Sequence, residues 1–322
     1  MRSASSTSLS PGTAFVALAL ALFAVGLFGG GALVRTSSDA PASSPAAAIS
    51  AAGGVRRTVL SVAAAPQPDE AAAAVAAAAA AAARLQRVHA DLFAIGASAG
   101  NNMGHTGQFA DHVSANFALV SREMAAQARA ALAAGGGGGG GGGLTVCEIG
   151  FNLGHSAAVF VAASGAEAVA RYVAFDKVEA PGVELSMRLL RSEFAATEWE
   201  LVAGDSRETV PAFHSSRPEV RCDLLHVDGD HGLVMPGVDL DNLRAMSSER
   251  ALVVFDDCGC AEADESWWCI GPTRAFEKAV AEGVLEQLSF KQILANSGAR
   301  GTCAGRLREG KAAAPKVALK AA

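Results

Sequence analysis

Five short apolar runs, each closing on a polar or acidic residue, restrict the fold of this chain more than any other feature. They are "LTVCEI" (144–149), "RYVAFD" (171–176), "WELVAG" (199–204), "CDLLHVD" (222–228) and "ALVVFDD" (251–257). Segments of helical length separate them. Such alternation predicts a parallel sheet covered by helices on both faces. Two further runs, "LEQLSFKQIL" and "GARGTCAGRL", are joined by a short turn containing Asn296, Ser297 and Gly298. They predict a terminal hairpin with an antiparallel strand. The expected architecture is α/β, a Rossmann-like sheet of seven strands.

A parallel sheet gathers the C-terminal ends of its strands on one edge, and ligands of open α/β sheets bind there. The acids at or just past those ends are Glu148, Asp176, Asp205, Asp228 and the pair Asp256/Asp257. Any one of them alone would read as a turn or helix cap. Gathered on one edge, they read as a site. The first run continues "EIGFNLGHS". Gly150 and Gly154 let the chain bend and a ligand approach the backbone. The next helix begins near His155, with its free amides toward the same edge. The spacing is not the dinucleotide G-x-G-x-x-G, which disfavours NAD. Asp176, ending the second run, stands where an acid holds ribose hydroxyls. Together these features indicate a nucleoside-bearing ligand.

The rest of the chain reads differently. Residues 14–34, "AFVALALALFAVGLFGGGALV", carry no charge and as a helix span about 30 Å, one hydrocarbon core. They predict a transmembrane signal-anchor behind a cytosolic tail of residues 1–13. That arrangement would place the catalytic domain in the lumen of an endomembrane. A cleaved signal peptide or an organellar transit peptide are the alternatives. Residues 35–68, rich in Ala, Ser and Pro, read as a disordered stalk. Residues 69–134 read as helical: an alanine run followed by "RLQRVHADLFAIG", then "QFADHVSANFALVSREMAAQARAAL" capped by Thr106. Nine glycines, 135–143, lack the punctuation of a phosphate-binding loop and read as a linker. The main domain is 144–310, and 311–322 is a tail. A net charge of −6 with scattered Lys and Arg argues against a nucleic-acid partner. The six cysteines fit no zinc pattern. Cys147 and Cys222, inside apolar runs, read as core packing. Cys258, Cys260 and Cys269 share a polar loop that is disulfide-bonded only in an oxidising compartment.

"CEIGFNLGHSA", "AFD", "LVAGDSRETVP", "DLLHVDGDHG" and "LVVFDDCG", in this order over residues 144–305, resemble the class I S-adenosylmethionine-dependent methyltransferases. The nearest branch is the metal-dependent O-methyltransferases, including those acting on macrolide sugars. The resemblance implies S-adenosylmethionine as cofactor. Gly150, Gly154 and Ser156 would lie along its methionine part and Glu148 would orient its amino group. Asp176 would take the ribose hydroxyls, and Asp205 and Ser206 would border the adenine. Phe151-Asn152-Leu153 replaces the third loop glycine of many relatives. Asp228, Asp256 and Asp257 end adjacent strands about 4.8 Å apart and form a candidate site for a hard cation such as Mg²⁺. His231, three residues past Asp228, is the candidate general base for a hydroxyl acceptor; its bland reading is a loop residue capping the next helix. Asp230 reads as a structural or supporting acid. Trp267 and Trp268 either stack on a sugar or aromatic acceptor or anchor their loop. The expected reaction is O-methylation of a small molecule or glycan. The alternatives are another nucleotide-binding Rossmann-like enzyme or an inactive, membrane-tethered module.

Overall fold

The computed structural model describes residues 68–100, 123, 143–164, 168–179, 181–259, 267–295 and 298–310. The expected anchor (14–34), stalk (35–68), capped second helix and polyglycine linker lie outside these, apart from Pro68, helical Glu123 and Gly143. Among the described residues no helix is long and apolar enough to cross a membrane.

Helix α1 (Pro68–Ala99) opens with the alanine run and then buries one face. Leu85, Val88 and Leu92, at helical spacing, are at most 5% exposed. Strands and helices then alternate: β1 (Leu144–Ile149), α2 (His155–Ser164), β2 (Val169–Asp176), α3 (Val183–Glu193), β3 (Glu198–Ala203), α4 (Ser206–Ser216), β4 (Cys222–Val227), α5 (Met235–Ala245), β5 (Ser247–Phe255) and α6 (Trp267–Ala281). The chain closes with β6 (Leu285–Ala295) and β7 (Gly298–Leu307). All five runs are strands, and the terminal pair is an antiparallel hairpin. The sheet has seven strands in the order β3-β2-β1-β4-β5-β7-β6. β1 to β5 are mutually parallel, and β7 joins β5 antiparallel.

Alternation along the strands gives the sheet two cores. Val146, Tyr172, Ala174, Leu224, Leu252 and Val254 face α1, α2 and α3. Cys147, Val173, Phe175, Leu225, Val253 and Phe255 face the opposite helices. The strand order reverses direction between β1 and β4, which opens a crevice at their C-terminal ends. Hydrogen bonds align these exits: Asp228 N–H donates to Ile149 O (2.9 Å), Asp256 N–H to Val227 O (3.2 Å) and Gly204 N–H to Asp176 O (2.9 Å).

The cysteines depart from the core-packing expectation. Cys147 and Cys222 are joined in a disulfide between β1 and β4. A register shift between Cys222 and Leu224 accompanies the placement of Cys222 in the same core as Cys147. An apolar pattern does not announce such an irregularity. Cys258 and Cys303 form a second disulfide, Cys269 is also disulfide-bonded, and no described cysteine is free.

Candidate active site

The loop after β1 has the backbone its glycines require. Gly150 has φ 93° and Gly154 φ 73°. A Cβ at Gly150 would fall on the carbonyl oxygen of Asp228, so only glycine lets β1 and β4 exit side by side. A Cβ at Gly154 would lie 2.6 Å from the Phe151 ring. Asn152 also has positive φ, 46°, a conformation asparagine tolerates. Asp176 stabilises this turn. Its Oδ2 accepts from Asn152 N–H (2.8 Å) and its Oδ1 from Val178 N–H (2.6 Å). The expected ribose acid thus stands, partly exposed, at the rim of the loop. A close-approach glycine beside the free amides of α2 fits an elongated, nucleoside-bearing cofactor.

Glu148, the residue expected to orient the cofactor's amino group, is engaged by three side chains of the domain. It is fully buried, because β1 alternation turns it beneath α2. Tyr172 hydroxyl donates to its Oε2 (2.8 Å), Ser156 hydroxyl donates to its Oε1, and His226 Nδ1 lies 2.8 Å from the same Oε1. Burial opposes a charge on His226, but the hydrogen bond to Glu148 and that carboxylate's field outweigh it and raise the imidazole. Burial and the same carboxylate raise Tyr172. Ser156, also expected along the cofactor, is occupied in tying α2 to β1. Sequence reading missed His226 and Tyr172. The signal was there: a histidine interrupts the apolar run of β4, in register with Glu148.

At the end of β3, Asp205 caps α4 by accepting from Arg207 N–H (2.9 Å). The Arg207 guanidinium and that amide hold its carboxyl at about 2. Ser206 hydroxyl donates to Asp239 Oδ1 (2.7 Å). Asp239, on α5, is 1% exposed, and its Oδ2 is buried without a hydrogen-bond partner. Burial pushes its carboxyl up to about 6. A Cβ at Gly229 would meet that Oδ2 at 3.1 Å, so the acid underlies the turn that follows Asp228.

His231 lies between two of the three expected metal ligands. Its Nε2 is 3.3 Å from Asp228 Oδ1 and its Nδ1 3.5 Å from Asp257 Oδ2. Burial opposes its charge. The hydrogen bond to Asp228 and the fields of Asp228, Asp257 and Asp256 prevail and push the imidazole up to about 9. Burial and the charge of Asp256 push the Asp228 carboxyl up to about 6. Asp257 is buried with φ 47°, and Asp256 is partly exposed. Among the described residues, no group of three or more His, Cys, Asp or Glu side chains is gathered to hold a metal ion. The Mg²⁺ expectation for Asp228, Asp256 and Asp257 therefore gains no support: the His231 ring lies between Asp228 and Asp257. Asp230 is exposed and closes a turn by accepting from Gly232 N–H (2.6 Å). Trp267 and Trp268 begin α6 rather than sit on a loop, and Trp268 is half-buried.

Residues 147–258 match a family described as a methyltransferase domain. Among proteins of curated function, none matches the sequence significantly. Among solved structures, the cofactor-bound Rv0187 from MTB is similar at 16% identity and a TM-score of 0.52, covering 70% of this chain and 91% of that one. The O-methyltransferase of Bacillus cereus in complex with SAH is 14% identical, with a TM-score of 0.47 and coverage of 70% and 91%. CalS11, a TDP-rhamnose 3'-O-methyltransferase of calicheamicin biosynthesis, is 21% identical, with a TM-score of 0.40 and coverage of 70% and 93%. The glycine loop against Asp228 and the acid ending β2 both lie within residues 147–258, the stretch that matches a methyltransferase domain.

Proposed function

We propose that the enzyme methylates a hydroxyl of a small molecule or glycan, with Asp228 and His231 managing the acceptor's proton. The carrying observation is His231, seated between Asp228 and Asp257 beside the Gly150 loop. S-adenosylmethionine, when bound, supplies an electrophilic methyl group on a sulfonium. Gly150 and Gly154 would border its methionine part, Asp176 its ribose, and Asp205 and Ser206 its adenine. Glu148 acts one layer below, by holding Ser156 and the start of α2. The acceptor oxygen must approach in line and lose its proton. In the free enzyme His231 carries a proton already. That proton must pass to bulk solvent before the neutral imidazole can receive the acceptor's proton, and a bound cationic cofactor would favour the neutral ring. Asp228 and Asp257 hold the ring and stabilise the imidazolium that forms.

A second reading keeps Mg²⁺, because Asp228, Asp256 and Asp257 stand at the ends of adjacent strands and the charge of Asp256 adds to burial in raising the Asp228 carboxyl. No step above passes through a metal. The cysteine pairing supports a location in an oxidising lumen, with residues 14–34 as the anchor.

The deciding experiment is a methyl-transfer screen with labelled cofactor over sugars, phenols and lipid headgroups, with and without EDTA. His231→Ala should bind S-adenosylhomocysteine normally and lose about 10²–10⁴ in turnover. kcat/KM should rise with pH toward about 9, and kcat should level off at lower pH. Full turnover in His231→Ala would refute the proton role. Loss of turnover in EDTA, restored by Mg²⁺, would establish the second reading.

A further inference from the structure

We infer that the first turns of α6 clamp the His231 loop to the Asp257 loop, and that Gly271 and Thr273 are positioning residues of the site. The inference rests on the reading above, in which the contact of His231 with Asp257 matters for proton transfer.

His231 and Asp257 belong to separate loops, one after β4 and one after β5. The loop after β5 is irregular where they meet: Asp257 has φ 47° and Gly259 φ 94°. Yet the two side chains come within 3.5 Å. The only packed helix that touches the backbone of both loops in the contacts described is α6. Gly271, inside that helix, lies against the backbone of the His231 loop. A Cβ there would overlap the carbonyl oxygen of His231 and stand 2.5 Å from that of Gly232 and 2.9 Å from Gly232 C. All three atoms are backbone, so no side chain can swing aside. Glycine inside a helix is unfavourable against alanine, and this approach explains why it is there.

Two residues on, Thr273 holds the other loop. Its hydroxyl accepts from Gly259 N–H (2.9 Å) and donates to Cys269 O (2.8 Å), so it is buried and doubly bonded. Gly259 follows Asp257 by two residues, with the disulfide-bonded Cys258 between them. One helix turn thus fixes both halves of the His231–Asp257 contact. Gly271 sets how closely the imidazole loop approaches, and Thr273 sets where the acid loop stops.

The test uses the full chain and a glycine control. Gly237, on α5, has nothing within 4 Å of where its Cβ would be. In NMR spectra of histidine-labelled protein, the His231 ring resonances, assigned by their loss in His231→Ala, should move in Gly271→Ala and stay in Gly237→Ala. Turnover of Gly271→Ala on an acceptor identified by the labelled-cofactor screen should fall by about 10²-fold, the cost of a misplacement near 1 Å, with S-adenosylhomocysteine affinity unchanged. Thr273→Val should shift the same resonances and slow turnover; Thr273→Ser, which keeps the hydroxyl, should restore both. If Gly271→Ala does not fold, the Thr273 pair decides alone. Unmoved His231 resonances in folded Gly271→Ala, or in Thr273→Val where that pair decides, overturn the clamp. Moved resonances together with full activity of His231→Ala leave the clamp standing and refute the proton role instead.

Discussion

Asp239 carries a carboxylate where water cannot reach it, with one oxygen bonded to Ser206 and the other buried. Burial raises its pKa from an ordinary 3.8 to about 6. The folded state therefore binds this proton more tightly than the unfolded chain. The stability it contributes is full below pH 3.8 and is lost as pH rises through about 6. At pH 8 the buried charge costs about 3 kcal/mol, by the conversion of pKa shift to free energy. Asp239→Asn should therefore raise the unfolding free energy at pH 8 by about 2–3 kcal/mol and change it little at pH 4. Urea denaturation at the two pH values measures this, and equal effects at both would remove the buried charge as the cause. The sequence "MPGVDLDNL" gives no hint of it, because burial of one helix face depends on what packs there. The same limit hid the inward turn of Glu148. Gly150 was legible, since a glycine ending a strand has few other uses. The nearness of His231 to Asp228 was legible from their spacing, but the direction of its pKa shift was not. That shift also depends on Asp257 arriving from a different strand.

Helix α1 meets the domain through a pair of imidazoles. His89 Nδ1 and His155 Nδ1 are 3.0 Å apart, with the rings stacked at 5.2 Å and Phe93 against His155. Burial, and for His89 also the charge of His155, lowers the two from 6.5 to about 3 and about 4. Here the folded state binds fewer protons than the unfolded chain. The stability is present above pH 6.5 and is lost as pH falls toward 4. Because His155 opens α2 directly after the Gly154 loop, acid should loosen α1 and the cofactor loop together. Limited proteolysis at the arginines of α1, Arg84 and Arg87, should accelerate between pH 6 and pH 4 in the presence of an acid-active protease. His89→Phe, which keeps a ring but cannot take a proton, should move the onset to lower pH. An unchanged onset would place the acid weakness elsewhere. At this scale the sequence was most informative. Strands β1 to β5 follow from apolar runs of strand length, and α1 follows from alanine and the spacing of Leu85, Val88 and Leu92. Less legible were the strand starts: β5 begins at Ser247 with "SSER", polar residues of which Ser247 pairs with Cys222 and Ser248 donates its hydroxyl to Asp223 of β4. The start of α6 at Trp267 was missed for a related reason, since Gly271 and Pro272 in "WWCIGP" read as helix breakers.

Across the whole molecule, the disulfides join elements that the sheet already brings together. Cys147–Cys222 ties β1 to β4 across a separation of 75 residues, beneath the crevice where the cofactor loop meets Asp228. Cys258–Cys303 ties the end of β5 to β7 across 45 residues, next to Asp257. Hydrogen bonds of the sheet hold the same neighbours with or without the sulfur bridges, so reduction should not erase the fold. It should weaken it through the unfolded chain, which regains the freedom of two large loops. Loops of this size are worth about 4 kcal/mol each in the chain-entropy account, before native strain is subtracted. Reduction by a dithiol should lower the melting temperature by at least about 10 °C for a domain of this size. The reduced protein should keep its far-ultraviolet circular dichroism. Turnover should fall as well, because Cys258 stands beside the acid that steadies His231. Protein unfolded without reductant should offer no thiols at Cys147, Cys222, Cys258, Cys269 or Cys303 to an alkylating reagent. The same measurement on protein trapped with acid and alkylated directly from its own cells bears on location. Blocked cysteines there fit a catalytic domain in an oxidising lumen behind the apolar segment 14–34. Free thiols at Cys147 and Cys222 would place the working enzyme in a reducing compartment and end the lumenal proposal.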